Sequence, residues 1–270
     1  MTSQLESRSF LKQLFTNYFY IVPLIGRCIL IFGLFLSTFI FVTISFPFLK
    51  LAIRQRILFY FSHCLLNICR VRLVLHGYVE NKQTALLVSN HISWLDIFVI
   101  NAWHPVSFVA KAEIRRWPVI GWLAAKVQTI FIDRTTIHRI KCGIVDVNKH
   151  LLNDELVVLF PEGMTSDGSQ VLPFHSSFFA CAQQTSKPIL PLAIYYEDSL
   201  GNQSTAPAYA GNTSLLQALY LILKEDLICA HLYIGKAKPA EQKNRRLLAL
   251  NSHESIANMI IEIKNKRNQI

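Results

Sequence analysis

The sequence is short of charged residues, glycine and proline. Only 16% of its 270 residues are Asp, Glu, Lys or Arg, whereas 52% are hydrophobic. Disordered chains have the opposite balance, with low hydrophobicity and high charge, so the composition excludes a disordered protein. With 10 Gly and 10 Pro, the chain also lacks the composition of collagen-like or low-complexity material.

Several short catalytic and metal-binding motifs are absent too. None of the six cysteines forms a C-x-x-C pair, so neither a metal ribbon nor a thioredoxin-like site is expected, and the thiols are predicted to be buried and reduced. No G-x-S-x-G nucleophile elbow occurs, which argues against a serine hydrolase. A phosphate-binding P-loop is missing as well. We therefore expect no metal site and no bound cofactor.

Positive charge and aromatic residues are plentiful. The 27 Lys and Arg outnumber the 17 Asp and Glu, which gives a formal net charge of +10, and the chain contains 18 Phe. A basic chain with much Phe and few charges overall favours contact with an anionic membrane surface. No nucleic-acid recognition motif accompanies the charge, so no nucleic-acid partner is expected.

Residues 28–49 form the longest hydrophobic run, CILIFGLFLSTFIFVTISFPFL, which contains no charged residue. At about 1.5 Å per residue, a helix of this length spans about 33 Å, enough to cross a hydrocarbon core of about 30 Å. The run starts too late and lacks a clear small-residue cleavage site for a signal peptide. It predicts a transmembrane helix, with a buried core helix as the alternative.

The segments on either side of this run extend the membrane prediction to residues 1–70. Residues 15–25 are also apolar and could pair with the run as a hairpin. Residues 51–70 mix basic and apolar residues, which fits either a helix at the membrane interface or one packed on the core. More Lys and Arg follow the run than precede it, so we expect the larger part of the chain on the cytoplasmic side of the inner membrane.

From residue 71 onward, short apolar runs alternate with helical patterns. This alternation predicts an α/β domain with a mixed, largely parallel sheet flanked by helices over residues 71–240. A polar, basic helix is expected over 241–270, and a loop over 201–214. The predicted strands are 71–78, 84–90, 106–110, 129–133, 155–161, 188–196 and 229–237, and the predicted helices are 93–102, 117–126, 135–152, 176–186 and 241–267.

Residues of chemical interest follow the predicted strands. His91 comes directly after strand 84–90 and Asp96 follows five positions later; the two side chains meet only if His91 lies in the turn before the helix. A carboxylate on imidazole Nδ1 would leave Nε2 free as a base, although a helix-capping or core histidine is the simpler interpretation of the pair alone. Lys111, Arg134 and Glu162 also follow strands, and such ends meet at one edge of a parallel sheet.

Five ordered blocks together resemble the glycerophospholipid acyltransferase family, which is typified by 1-acylglycerol-3-phosphate acyltransferase. The resemblance covers about residues 70–195. It implies a membrane-bound enzyme that moves a fatty acyl group from acyl-CoA or acyl-carrier protein to the hydroxyl of a lysolipid acceptor in phospholipid biosynthesis. The blocks are NHISWLD (90–96), KAEIRRWPVIGWLA (111–124), FIDR (131–134), FPEG (160–163) and PILPLAI (188–194).

The same resemblance implies roles for individual residues. His91 would be the general base, with Asp96 as its partner. Lys111, Arg134 and the Glu162–Gly163 turn would bind the acceptor headgroup or organise its pocket. We also expect backbone N–H groups near the start of the helix after His91 to stabilise the oxyanion.

One position departs from the family pattern. In this family the FPEG block usually continues FPEGTRS, with an Arg that contacts the acceptor phosphate, but Thr165 occupies that position here. A hydroxyl cannot replace a bidentate guanidinium clamp. The block is more similar to that of lyso-ornithine-lipid acyltransferases, so three interpretations stay open: a lysophosphatidate enzyme, a lyso-ornithine-lipid enzyme, and a catalytically silent lipid-binding protein of the same fold.

Overall fold

The computed structural model describes residues 2–77, 84–211, 213–240 and 244–267, and the side chains of these residues from 22 to 265. The two short 3₁₀ helices are Phe46–Phe48 and Ala112–Arg116. The α-helices are α1 Thr2–Ser45, α2 Leu51–Ile68, α3 Asp96–Trp103, α4 Ile120–Lys126, α5 Ile137–Leu152, α6 Phe179–Thr185, α7 Leu215–Lys224 and α8 Arg245–Arg267. The strands are β1 Val71–His76, β2 Leu86–Ser89, β3 Ser107–Lys111, β4 Ile130–Ile132, β5 Val157–Leu159, β6 Ile189–Glu197 and β7 Ile228–Ile234.

The described strands form one sheet in the order β1-β7-β6-β2-β5-β3-β4. Strands β2 to β6 run parallel to one another, whereas β7 pairs antiparallel with β6 and parallel with β1. The predicted α/β class with a mixed, largely parallel sheet is confirmed. All four residues of β2 and eight of the nine residues of β6 are buried, as expected for strands covered on both faces.

Helices cover the sheet on both faces, so two apolar layers enclose it. Alternation along β2 divides its side chains between the layers, with Leu87 in one and Val88 in the other. Helices α2, α3 and α7 contribute to the first layer, and α5, α6 and α8 to the second. The basic helix α8 thus also has an apolar side, formed by buried Leu248, Ile256 and Ile260.

The parallel part of the sheet places the predicted site residues at one edge. Strands β2, β5, β3 and β4 are consecutive neighbours that point the same way. In that order, their carboxyl ends lead into His91, Glu162, Lys111 and Arg134. The structure therefore places these four residues along one rim, as the strand-end argument predicts.

Helix α1 is continuous from Thr2 to Ser45. The alternative of a hairpin between 15–25 and the apolar run is therefore wrong, because no turn separates them. Within the described residues, Val22–Phe48 is the one segment long and apolar enough to cross a membrane, with a mean hydropathy of 2.5 and few of its residues buried. Its inner side packs on the domain, since Ile31 and Val42 are buried.

Aromatic contacts fasten α1 to the domain. Phe35 meets Phe61 of α2 edge-on with ring centroids 5.3 Å apart, and Phe39 meets Trp122 of α4 at the same 5.3 Å separation. Helix α2 packs in turn on α3 and β1 through buried residues such as Leu65. The core-packed alternative for 51–70 therefore holds, although the outer face of α2 remains exposed at Ile53 and Tyr60.

Some local predictions differ from the structure. Helix α7 was not anticipated; Ser214 caps it by accepting a hydrogen bond from the Gln217 N–H. The expectation that the cysteines are buried holds for Cys69 and Cys181 but is wrong for the exposed Cys28, Cys64 and Cys142, which lie on helix faces turned from the core. Residue 78 of the first predicted strand lies outside the described residues, as do residues 241–243 and 268–270 of the predicted C-terminal helix.

Candidate active site

His91 and Asp96 are in direct contact at the rim of the sheet. Helix α3 begins at Asp96, and His91 lies in the preceding loop, the one arrangement that the spacing allows. The imidazole Nδ1 is 2.7 Å from Asp96 Oδ2. Among the described residues, His91 Nε2 has no hydrogen-bond partner, and the side chain is 19% exposed. This pair can hold one imidazole tautomer and leave Nε2 free to accept a proton.

The Asp96 carboxylate is completely buried and receives four hydrogen-bond donors. Besides His91, the N–H groups of Ile92 and Ser93 donate to Oδ2 at 2.7 and 3.0 Å, and the Tyr196 hydroxyl donates to Oδ1 at 2.7 Å. Such donors replace water around a buried anion and keep its orientation constant.

These contacts correct the expectation about the oxyanion. The Ile92 and Ser93 N–H groups bind Asp96, and the Leu95 N–H donates to Ser93 Oγ at 3.2 Å. The first N–H groups after His91 are thus engaged inside the loop. The expectation that they stabilise an oxyanion is wrong for these three, because a short loop before a helix satisfies its own donors.

Glu162 fastens the His91 loop to the neighbouring strand end. Its Oε1 accepts the His91 N–H at 2.8 Å and its Oε2 accepts the Leu172 N–H at 3.3 Å. Burial raises the pKa of Glu162 to about 7; the two N–H donors oppose the rise and the charge of Asp96 adds to it. Glu162 therefore acts here on the backbone, where it joins the His91 loop to the segment at Leu172.

Two more contacts fix His91. The Ser166 N–H donates to the His91 carbonyl at 2.8 Å, which joins the loop to the segment after Glu162. One face of the His91 ring stacks on the Phe160 ring, with ring centroids 4.0 Å apart and an interplanar angle of 13°. The imidazole is therefore held in position before any substrate arrives.

Arg134 lies beside the Glu162–Gly163 turn. Gly163 has φ +75°, and a Cβ at this position would lie 3.1 Å from Arg134 Nη1, so glycine permits the close approach. The guanidinium lies over the Phe178 ring at 5.8 Å, burial lowers its pKa, and its Nε is buried without a hydrogen-bond partner in the described residues. Arg134 thus keeps one donor that the described residues do not use.

Lys111 and Thr165 occupy the outer part of the rim. Lys111 ends β3, is exposed, and forms no ion pair with the described residues. The Thr165 hydroxyl donates to the Tyr209 carbonyl in the 201–214 loop, and the Tyr209 N–H donates to the Ile92 carbonyl at 2.9 Å. Thr165 therefore links two loops of the site.

Tyr196 is a member of the site that the sequence did not reveal, and Phe160 and Asn90 lie in the FPEG and NHISWLD blocks but had no role assigned from the sequence. Asn90 accepts from the Ile194 N–H at 2.8 Å and donates to its carbonyl at 3.0 Å, so it extends the contact between β2 and β6. A hydroxyl in a largely buried strand was the available signal for Tyr196, although the neighbouring Tyr195 shares it, because a buried hydroxyl needs a partner.

Comparison with known proteins gives consistent matches. Residues 70–195 match the family model described as Acyltransferase. The chain is 33% identical over 190 residues to the 1-acyl-sn-glycerol-3-phosphate acyltransferase of Neisseria gonorrhoeae, covering 68% of this chain and 72% of that one. It is 34% identical over 190 residues to the lyso-ornithine lipid O-acyltransferase of Rhizobium meliloti (strain 1021), covering 64% and 63%.

A solved structure shares the fold. The crystal structure of the 1-acyl-sn-glycerophosphate acyltransferase PlsC from Thermotoga maritima superposes with a TM-score of 0.67, covering 92% of this chain and 97% of that one. Its sequence identity is 17%, so the similarity concerns the fold.

Proposed function

This chain belongs to the acyltransferase family, and from that premise we propose that it moves a fatty acyl group from an acyl thioester to the hydroxyl of a lysolipid in phospholipid biosynthesis. The observation that carries the proposal is the contact of His91 Nδ1 with buried Asp96 at 2.7 Å, with Nε2 left without a partner in the described residues. A silent lipid-binding protein would have no need of such a pair.

In the proposed reaction, neutral His91 accepts the proton of the acceptor hydroxyl at Nε2 while that oxygen attacks the thioester carbonyl. The tetrahedral intermediate then collapses: the C–S bond breaks, the ester forms, and the departing thiolate takes the proton from His91. Asp96 stabilises the transient imidazolium through Nδ1. No covalent acyl-enzyme and no cofactor is needed, because the acyl-CoA or acyl-carrier protein enters as a substrate.

The first candidate acceptor is 1-acylglycerol-3-phosphate. Lys111 and Arg134 follow adjacent strands of the rim, and buried Arg134 Nε lacks a partner in the described residues. Two cations at this edge suit a phosphate headgroup. The relative from Neisseria gonorrhoeae carries the name of that activity.

A lyso-ornithine lipid is the second candidate. Thr165 replaces the guanidinium usual in this block, and its hydroxyl is engaged with the Tyr209 carbonyl. A ligand phosphate would therefore find no clamp at this position. The relative from Rhizobium meliloti carries the name of the lyso-ornithine activity.

We propose that the enzyme works at the cytoplasmic face of the inner membrane. The apolar segment Val22–Phe48 has large exposed side chains along its outer side, among them Phe32, Ile44 and Phe48. The basic stretch 111–141 is close by, since α4 contacts α1. It suits anionic headgroups or the phosphates of an acyl donor.

The test is acyl transfer by the purified full chain in lipid vesicles, with labelled acyl-CoA or acyl-carrier protein and both lysolipids. His91→Ala should fold and lose about 10²- to 10⁴-fold in kcat/KM, the usual worth of a general base. His104→Ala, at the other end of α3, is the matched control and should keep near-normal turnover. Near-normal turnover in His91→Ala would rule out the base, and thioester hydrolysis without transfer would rule out the reaction.

A further inference from the structure

We propose that Tyr196 is a positioning residue for acyl transfer: its hydroxyl orients the Asp96 carboxylate and limits how strongly Asp96 holds protonated His91. The inference rests on the proposed function, because it assigns a role in a reaction that passes through His91. Tyr196 lies two residues beyond the PILPLAI block, outside every segment that carries the family resemblance.

The geometry of β6 brings Tyr196 to Asp96. The ladder between β2 and β6 ends where Ser89 pairs with Leu192, and β6 continues to Glu197. Asn90 binds the backbone of Ile194 in both directions, which keeps this extension against the His91 loop. Tyr196 lies two residues further on the same face, so its ring enters the core layer beneath α3.

The two oxygens of Asp96 have different partners. Oδ2 receives the His91 ring and two backbone N–H groups, whereas Oδ1 receives the Tyr196 hydroxyl alone among the described residues. Asp96 has no exposed surface, and Tyr196 is 1% exposed, so water does not replace this donor. Loss of the hydroxyl would leave one oxygen of a buried anion unsatisfied and would free the carboxylate to rotate.

Tyr196 acts as a donor and not as a proton carrier. Burial, followed by the neighbouring charge of Asp96, raises the pKa of Tyr196 well above its usual range, so the phenol stays protonated. It also binds Asp96 Oδ1, whereas His91 binds Oδ2, and no hydrogen bond joins Tyr196 to His91 in the described residues. Its influence on the substrate must therefore pass through Asp96.

A functional consequence follows from the shared carboxylate. The Tyr196 O–H draws part of the negative charge of Asp96 away from the imidazole. Without that O–H, Asp96 would stabilise protonated His91 more strongly, and less neutral base would be present at a given pH. Besides Asp96, the titratable group in contact with His91 among the described residues is Glu162, whose Oε1 accepts the His91 N–H and which the loss of the Tyr196 hydroxyl does not touch. We therefore expect a lower kcat and an acid limb of the pH–rate profile that lies at higher pH.

The primary test compares Tyr196→Phe with Tyr195→Phe in the full chain. Both changes remove one hydroxyl from a buried tyrosine of β6, but Tyr195 faces the other layer. For Tyr196→Phe we expect kcat to fall roughly 10- to 100-fold, the range for a hydrogen bond to a charged group, with KM within about twofold. The acid limb should move to higher pH in this variant alone.

If Tyr196→Phe does not fold, a milder substitution at the same position tests the inference. Site-specific 3-fluorotyrosine at position 196 keeps the shape and makes the O–H a stronger donor, so the acid limb should move to lower pH. An unchanged pH profile with 3-fluorotyrosine, or wild-type kcat and profile in a folded Tyr196→Phe, overturns the inference. If Tyr196→Phe behaves like wild type while His91→Ala is inactive, the inference about Tyr196 is wrong and the proposed function stands. If His91→Ala is active, the proposed function itself is wrong.

Discussion

The two buried carboxylates of the site, Asp96 and Glu162, differ in the number of hydrogen-bond donors that the protein offers them. Asp96 receives four donors, among them the His91 ring and the Tyr196 hydroxyl. Glu162 receives two backbone N–H groups and is only 4% exposed, and burial raises its pKa to about 7. Glu162 therefore changes charge near neutral pH.

This difference predicts how Glu162 affects stability with pH. Its pKa rises from 4.5 to about 7 on folding, so the charged form is disfavoured in the folded state. Below pH 4.5 Glu162 is protonated in both states and does not lower the unfolding free energy. As pH rises through 7, its burial lowers the unfolding free energy, and above that pH the reduction reaches its full size of about 3 kcal/mol. Glu162→Gln cannot ionise, so its stability relative to wild type should increase between pH 5 and pH 8.

Thermal unfolding of the detergent-solubilised protein at the two pH values measures this effect. Glu113→Gln, at an exposed position of the second 3₁₀ helix, is the control and should follow wild type at both. If the difference in melting temperature between wild type and Glu162→Gln stays constant from pH 5 to pH 8, Glu162 does not have the raised pKa.

At the scale of elements, the end of the apolar segment Val22–Phe48 has two roles. In the 3₁₀ helix that follows α1, Phe46 is 1% exposed and lies beneath the Arg54 guanidinium, 5.6 Å from its ring centroid. Phe48, two residues later, is 86% exposed. One phenylalanine therefore packs against α2, and the other is exposed.

The pair predicts opposite results for the same substitution. Phe46→Ala should lower the unfolding free energy by about 3–5 kcal/mol, because it leaves a cavity in a packed site. Phe48→Ala should change it by less than about 0.5 kcal/mol. Denaturant titration in mild detergent measures both, and equal losses would show that Phe46 does not fasten the segment to the domain.

The boundaries of these apolar elements were the weakest part of the sequence prediction. Residues 15–25 and 28–49 are apolar on all sides, so no periodicity indicates whether a turn separates them. The structure joins them in a single helix up to Ser45. Helix α7 was not predicted, because a short and nearly continuous apolar run such as LLQALYLILK does not by itself distinguish a covered strand from a helix.

At the scale of the whole molecule, positive charge and exposed apolar surface lie on the same side. Arg115 and Arg116 are exposed next to Trp117, which is itself 43% exposed, and the following helix α4 contacts α1. An anionic leaflet would attract this side and receive its apolar side chains.

The arrangement predicts which arginines matter for membrane binding. Arg115→Ala/Arg116→Ala should weaken co-flotation with anionic vesicles, and the difference from wild type should shrink as salt shortens the screening length from about 10 Å at 0.1 M. Arg245→Ala/Arg246→Ala removes the same charge from exposed positions at the start of α8 and serves as the control. Equal losses in the two double variants would show that net charge alone governs binding.

The sequence by itself determined the α/β class, the apolar N-terminal segment and the strand ends that carry His91, Lys111, Arg134 and Glu162. These features follow from hydrophobic periodicity and from the rule that parallel strands end at one rim, and both are local properties of the chain. The catalytic and binding roles of those residues stay predictions.

Only the tertiary structure decided how the His91 loop is supported. Tyr196 reaches Asp96 across 100 positions of sequence, and Glu162 reaches the His91 N–H across 71. The engagement of Thr165 with Tyr209 and the antiparallel direction of β7 are likewise results of packing. No local pattern encodes these contacts, because each depends on which buried donor and acceptor the folded sheet brings within hydrogen-bonding distance.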